Sequence, residues 1–370
     1  MKKITYIAQS ETNLLSDYAN TNQVINTCNA LCNKNFSIDL ITVNQKNDYN
    51  FVKQIHSKHE KIFFSIKEIK YRFFFKKQFF HALFIAFKYF SLKNIIYTRS
   101  DWVAIIFTIL GKNVIFESHN FIKKRFTNYL FKILSNKNNL KIVTISNALK
   151  SEFLNIGFTN NVKTIPDSVD LNQFSPSNKN ESRNFLKIDL NKKIVLYSGA
   201  LRVGRGVSRI ISIAKQLPKI DFYIFGGRDL TRLNHFRNIA KSYNNIHFFG
   251  FVKSNDLINY MNACDIFLMP HQDSCDIIKY TSPLKLFEYM AMKKPIIASD
   301  FPVFREILEN NINGILVDSN STQDFCNQIE LVLNDNNFST SLSNNAHLSS
   351  KKYSWDNRAE SIIIFLNEKN

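Results

Sequence analysis

Cysteine is scarce: Cys28, Cys32, Cys264, Cys275 and Cys326 are the only five in 370 residues. None forms a C-x-x-C pair, and so few scattered thiols exclude a disulfide framework and fit a reducing cytosol. Cys28 and Cys32, four apart, suit one face of a helix. Asp-x-Asp is absent and the eight histidines are dispersed, so no metal site is expected; His56 and His59 read as a surface pair. Long apolar runs are missing as well. The opening MKKITYIAQ stops at Gln9, too short for the core of a secretory signal. The greasiest stretch, Phe79 to Phe90, contains His81 and Lys88 and falls short of the roughly 20 apolar residues that a spanning helix needs. No internal repeat or long low-complexity tract replaces these features. At 45% hydrophobic and 21% charged residues, the chain has the composition of a folded body of about two domains.

Acidic residues are the other shortage. Lys and Arg number 48 against 30 Asp and Glu, a formal charge of +18. A polyanionic partner would explain this excess, and so would A/T-rich codons, which favour the abundant Lys, Asn, Ile and Phe. Position separates the two. Residues 1–180 carry 25 basic and 11 acidic side chains, net +14, and residues 181–370 carry 23 and 19, net +4. Codon usage gives no reason for that asymmetry, so the first half is expected to face something anionic.

The first half alternates short β-branched or aromatic runs with longer amphipathic stretches, the pattern of an α/β domain around a parallel sheet. KITYIAQ, SIDLITV, NIIYTRS, NVIFESH and KIVTIS are its expected strands, and NALKSEFLNIGF a helix ending at Gly157. A polar stretch bounded by two prolines, Val162 to Pro176, marks a boundary. The rhythm then restarts with KKIVLYSGA, a helix from about Val207 to Leu217, and the strands IDFYIFGG, NIHFFGFV, DIFLMP, KPIIASD and GILVD. The expected domains are 1–170 and 171–354, both Rossmann-like and facing across a cleft, with residues 355–370 crossing back as a helix onto the first.

Two segments carry chemistry. In YSGALRVGRGVSRIISIAKQL a strand ends in a loop holding Gly199, Gly204 and Gly206 with Arg202 and Arg205, and feeds directly into a helix. Glycines admit a ligand close to the backbone, a helix N-terminus offers unpaired amides, and arginines suit a diphosphate. It is not a dinucleotide fingerprint, because the third glycine is missing, and no phosphate-binding GK[ST] is present. In SPLKLFEYMAMKKPIIASD, Ser282 is the expected N-cap and Pro283 suits the first turn. Glu288 sits in an apolar helix, where sugar hydroxyls would satisfy it.

Together with TISNALKSEF and VKTIPDSVDLNQFSP upstream, these segments resemble the large family 4 group of retaining glycosyltransferases with the GT-B fold. The resemblance runs from YTRSD to YSWDNRAESI and is weakest over residues 1–95. It implies that Arg205 holds the position of the donor-diphosphate cation, assisted by Arg202 and Lys285. By the same resemblance, Glu288 binds the donor ribose, and Phe251 and Val252 after Gly250 hold the base. Gly199, Gly226, Gly227, Ser282 and Leu284 line the donor cleft, and His119 stands near donor sugar and acceptor. Tyr280 occupies the place of the commoner first glutamate, Ala200 that of a frequent arginine, and Pro283 that of a frequent glycine. The implied reaction moves a sugar from a nucleotide diphosphate to a lipid-linked or cell-surface glycan acceptor, with retention, no metal and no cofactor beyond the substrate. A nucleotide-sugar epimerase and a non-catalytic nucleotide-binding relative are the alternatives.

The excess charge lies in two stretches. Residues 61–93 hold eight Lys and Arg against one Glu, interleaved with phenylalanines, and residues 121–141 hold six and none. Basic and aromatic residues on one amphipathic element suit an anionic membrane surface, which places the protein peripherally on the inner face of the cytoplasmic membrane. A core helix with snorkelling lysines competes with that reading. Nucleic acid is not expected, because the donor motifs leave it without a role.

Overall fold

The computed structural model describes residues 2–368 except 17, 60, 122–124 and 275–277, and omits the side chains of 75, 76 and 125. The chain divides into two compact units. One comprises residues 1–166 with 355–370, and the other residues 167–354. The first crossing therefore falls at Pro166/Asp167, slightly before the position 170 expected from the sequence.

In the first unit the strands are β1 (Lys3–Ile7), β2 (Ser37–Asn44), β3 (Ser65–Lys70), β4 (Ile95–Thr98), β5 (Val114–Ser118), β6 (Leu140–Thr144) and β7 (Val162–Thr164). They form one parallel sheet in the order β3-β2-β1-β4-β5-β6-β7, with Ile4 opposite both Ile38 and Ile95. The central strands are buried along their length, as continuous apolar runs in a helix-covered parallel sheet must be. β3 was not anticipated from the sequence. It is an edge strand, SIKEIK, whose lysines and glutamate keep the open edge solvated.

The second unit repeats the plan with β8 (Ile194–Ser198), β9 (Asp221–Phe225), β10 (Ile246–Gly250), β11 (Ile266–Met269), β12 (Ile296–Ser299) and β13 (Ile315–Val317). Its order is β10-β9-β8-β11-β12-β13. β8 pairs with β9 on one side and β11 on the other, with Leu196 opposite Tyr223 and Phe267. The connections leave in opposite directions from these two central strands, so a crevice opens beyond their C-terminal ends.

The last helix, Trp355–Asn367, belongs to the first unit. Ala359, Ile362 and Phe365 join the same core as Ile4, Leu31 and Leu40. Lys141 Nζ donates to the carbonyls of Phe365 at 2.6 Å and Glu368 at 2.7 Å, capping the helix C-terminus with a cation. Among the described residues, no helix is long and apolar enough to cross a membrane.

Candidate functional site

At the end of β8 the backbone turns through Gly199, whose amide donates to the Phe225 carbonyl at 2.9 Å. The loops after β8, β9 and β11 then nest so closely that side chains are excluded. A Cβ on Gly226 would lie 1.8 Å from the Gly199 carbonyl oxygen, and one on Gly206 1.8 Å from that of Pro270. Both residues also have positive φ, 129° and 85°, which glycine alone adopts without cost. Gly206 is the N-cap of the Val207–Gln216 helix and supplies no capping side chain. The amides of the first turn therefore stay available. Arg202 is exposed at the tip of the loop, and Arg205 is half-buried beneath it.

Arg205 does not stand alone. Its Nη1 lies 3.0 Å from Nε2 of His271, which follows β11. His271 is 3% exposed, and burial, reinforced by the arginine, lowers its pKa to about 3. The imidazole is thus neutral and accepts the guanidinium N–H at Nε2, which puts its own proton on Nδ1. Among the described residues, Nδ1 is buried without a hydrogen-bond partner. The ring is held by Phe304, edge-on at 5.3 Å, and the His271 carbonyl accepts from Ser299 Oγ at 2.6 Å. Sequence reasoning missed His271. The available signal was its position, just after a buried strand next to the one that precedes the glycine loop.

Helix Leu284–Ala291 is fixed against the same strand end, because the Tyr289 hydroxyl accepts the Ser198 N–H at 2.7 Å. Its N-terminus differs from expectation. Pro283 is the N-cap and offers no side-chain bond, whereas the Ser282 hydroxyl accepts the Asp167 N–H at 3.0 Å. Ser282 therefore ties the crossing segment to the helix rather than capping it. The amides at Leu284 and Lys285 have no acceptor within the helix. Lys285 Nζ lies 2.5 Å from Glu288 Oε2, an (i, i+3) ion pair whose carboxylate is largely buried. On the other side of the loop, Gly226 N donates to the Gly250 carbonyl at 2.7 Å. Phe251 is 45% exposed beside it, with the Arg228 guanidinium 3.6 Å from its ring centroid. Val252 is half-buried against the adjoining core. Gly227, at φ 85°, leaves room for Leu201. Arg228 was not anticipated. Thus Gly199, Arg202, Arg205, Gly226, Gly227, Phe251, Val252 and Ser282 lie in loops that follow strands of the second unit, and Leu284, Lys285 and Glu288 lie in helix Leu284–Ala291.

His119 lies in the first unit, just beyond β5. Its Nε2 is 2.5 Å from Oε1 of Glu117, a carboxylate only 2% exposed. Glu117 also accepts the Tyr97 hydroxyl, and it pairs with Arg358 at 3.1 Å and, more distantly, with Arg99 at 3.9 Å. Burial alone would raise its pKa, but Arg358, His119 and Arg99 together hold it well below the usual carboxylate range. Glu117 was also missed in the sequence, where it looks like one more residue of a strand.

Residues 178–349 match the family model of the glycosyl transferases group 1. An uncharacterized glycosyltransferase of Haemophilus influenzae is 26% identical over 65% of this chain and 66% of its own length. The N,N'-diacetylbacillosaminyl-diphospho-undecaprenol alpha-1,3-N-acetylgalactosaminyltransferase of Campylobacter jejuni is 26% identical over 56% of this chain and 55% of its own. Of two further curated relatives the chain spans 60% and 50% of the length. The fold similarity is more extensive: Anabaena Alr3699/HepE, solved in complex with UDP and glucose, superimposes with a TM-score of 0.74. That match covers 100% of both chains at 17% identity. Residues 178–349, nearly the whole of the second unit, thus carry the domain of the glycosyl transferases group 1.

Proposed function

We propose that the chain transfers a glycosyl group from a nucleotide diphosphate sugar to a lipid-linked or cell-surface glycan acceptor, with retention and without a metal. The observation that carries this reading is the Arg205–His271 pair at the central strand ends of the second sheet. A cation held by a neutral acceptor keeps its whole charge for an anion, and the glycine loop and the helix terminus beside it add uncapped amides. In the proposed reaction Arg205, helped by Arg202, Lys285 and the start of the Val207–Gln216 helix, takes up charge on the departing diphosphate. Glu288 accepts the ribose hydroxyls of the donor. Main-chain groups at Phe251 and Val252 hold the base. The acceptor hydroxyl attacks from the face the diphosphate leaves and passes its proton to the leaving phosphate. His119, oriented by Glu117, aligns the reacting sugars.

Two relatives support the substrate classes. The Campylobacter enzyme is named for a diphospho-undecaprenol acceptor and the Anabaena protein was solved with UDP and glucose. A lipid-linked acceptor also fits work at the inner face of the cytoplasmic membrane. The test is Arg205→Ala, assayed for nucleoside diphosphate release across a panel of nucleotide sugars. Loss of one oxyanion-stabilising donor predicts a fall in turnover of about 100- to 1,000-fold, with the fold retained and the thermal unfolding midpoint lowered by only a few degrees, because the buried His271 Nε2 loses its donor. Undiminished release would sink the diphosphate assignment.

A further inference from the structure

The first unit carries an apolar face that its own core does not use. In helix Gln78–Lys88 the buried residues are His81, Ala82, Ile85 and Ala86. Yet Phe80, Leu83 and Phe87 are 43%, 42% and 87% exposed. Their i, i+3, i+7 spacing makes one outward stripe, so the helix is apolar on both sides. A core helix with snorkelling lysines would not leave such a stripe. Helix Arg125–Leu134 repeats the pattern, with Phe126, Tyr129 and Ile133 at the same spacing and each more than half exposed. Helix Asp101–Ile109 packs between them. Its Trp102 meets Phe79 at 4.7 Å and Phe126 at 6.1 Å between ring centroids, which joins the two stripes into one aromatic surface.

The rim of this surface is cationic. Lys77, Lys88, Lys93 and Lys132 are exposed around it, and Lys112 lies over the Phe90 ring at 5.6 Å. Between residues 69 and 100, and again between 118 and 151, the sequence has no Asp or Glu. That pattern decides between occupants. A second copy docking the same patch on itself would bring one lysine rim against another. An anionic bilayer accepts the rings and the ammonium groups at once.

We infer that this three-helix face seats the protein on an anionic lipid bilayer. Phe80, Leu83, Phe87, Phe126 and Ile133 enter the acyl boundary, and the lysine rim contacts the headgroups. The inference rests on the membrane placement in the proposed function and on none of the transfer chemistry, so hydrolysis of a soluble donor is measured in parallel. The probe is a vesicle of equal parts zwitterionic and anionic phospholipid, with Trp355→Phe leaving Trp102 as the sole indole reporter. Vesicles are expected to shift Trp102 emission to the blue, and brominated acyl chains to quench it. Phe80→Ser/Phe87→Ser and Phe126→Ser/Ile133→Ser should each lower co-sedimentation about tenfold, since apolar burial drives interfacial binding. Donor hydrolysis should be retained, because exposed side chains are replaced. Binding should also fall with salt and with Lys77→Gln/Lys88→Gln. Emission indifferent to vesicles, serine variants that bind as well as the parent, or a dimer in solution dissolved by these substitutions would each overturn the assignment. Lost donor hydrolysis in the parent with intact vesicle binding would instead count against the transfer chemistry alone.

Discussion

A cation meant for a diphosphate is weakened by any carboxylate that holds it in place. Two of the candidate cations of the second unit differ in this respect: Lys285 is paired with Glu288, whereas Arg205 leans on an uncharged imidazole. The cost of that choice falls on His271, which is neutral and buried when folded but free to take a proton when unfolded. With a folded pKa of about 3 against the ordinary 6.5, the unfolded state binds the extra proton between those values. His271 therefore stabilises the fold fully above pH 6.5 and progressively less as pH falls toward 3, at a slope of about 1.4 kcal/mol per pH unit. His271→Gln should keep the acceptor, because Oε1 falls near the place of Nε2, and should remove the titration. Urea unfolding from pH 4 to 6.5 is expected to show the parent losing stability more steeply than the variant, by about one proton. Turnover at neutral pH should fall less than tenfold. Parallel pH profiles would contradict the buried neutral imidazole.

At the scale of single elements, the helix Trp355–Asn367 completes a network begun by β5. Arg358 is 3% exposed and Glu117 2%, so neither charge is solvated and each depends on the other. Arg358→Leu should leave a buried carboxylate short of its main counter-charge and cost about 3–5 kcal/mol. The double variant Arg358→Leu/Glu117→Gln should recover part of that loss in chemical denaturation. Equal losses in single and double variants would show that the ion pair contributes nothing beyond packing. Elements like this one divide into those legible in the sequence and those not. β8 and β11 were legible because a strand covered on both faces must be apolar throughout, and the glycine loop because its three glycines and two arginines are local. β3 was hidden because an edge strand is selected for solubility and looks like a charged loop, and β7 because three residues show no period. Ser282 looked like a cap because its neighbours allow one, but its hydroxyl is taken by the Asp167 amide, far away in sequence. His271 and Glu117 acquire meaning only from partners supplied by other elements.

At the scale of the whole molecule, the chain crosses between its units twice, at residues 166/167 and 354/355. The first unit is therefore made of segments separated by an entire second unit. Its core needs Ala359, Ile362 and Phe365 as much as Ile4 or Leu40, and Lys34–Glu360 and Lys163–Glu368 pair across the same join. The second unit has no such debt, since all its strands lie between residues 194 and 317. A chain stopped at Ser354 should accordingly fold its second unit while the first exposes an apolar groove and loses cooperative unfolding. Burying one Leu-sized or Phe-sized side chain is worth about 1.5–3 kcal/mol, so losing several at once exceeds much of the stability a unit of this size holds in reserve. Hydrogen exchange on the shortened chain should find β8–β12 protected and β1–β6 not. Protection across both sheets would mean that the last helix merely decorates a first unit already complete without it.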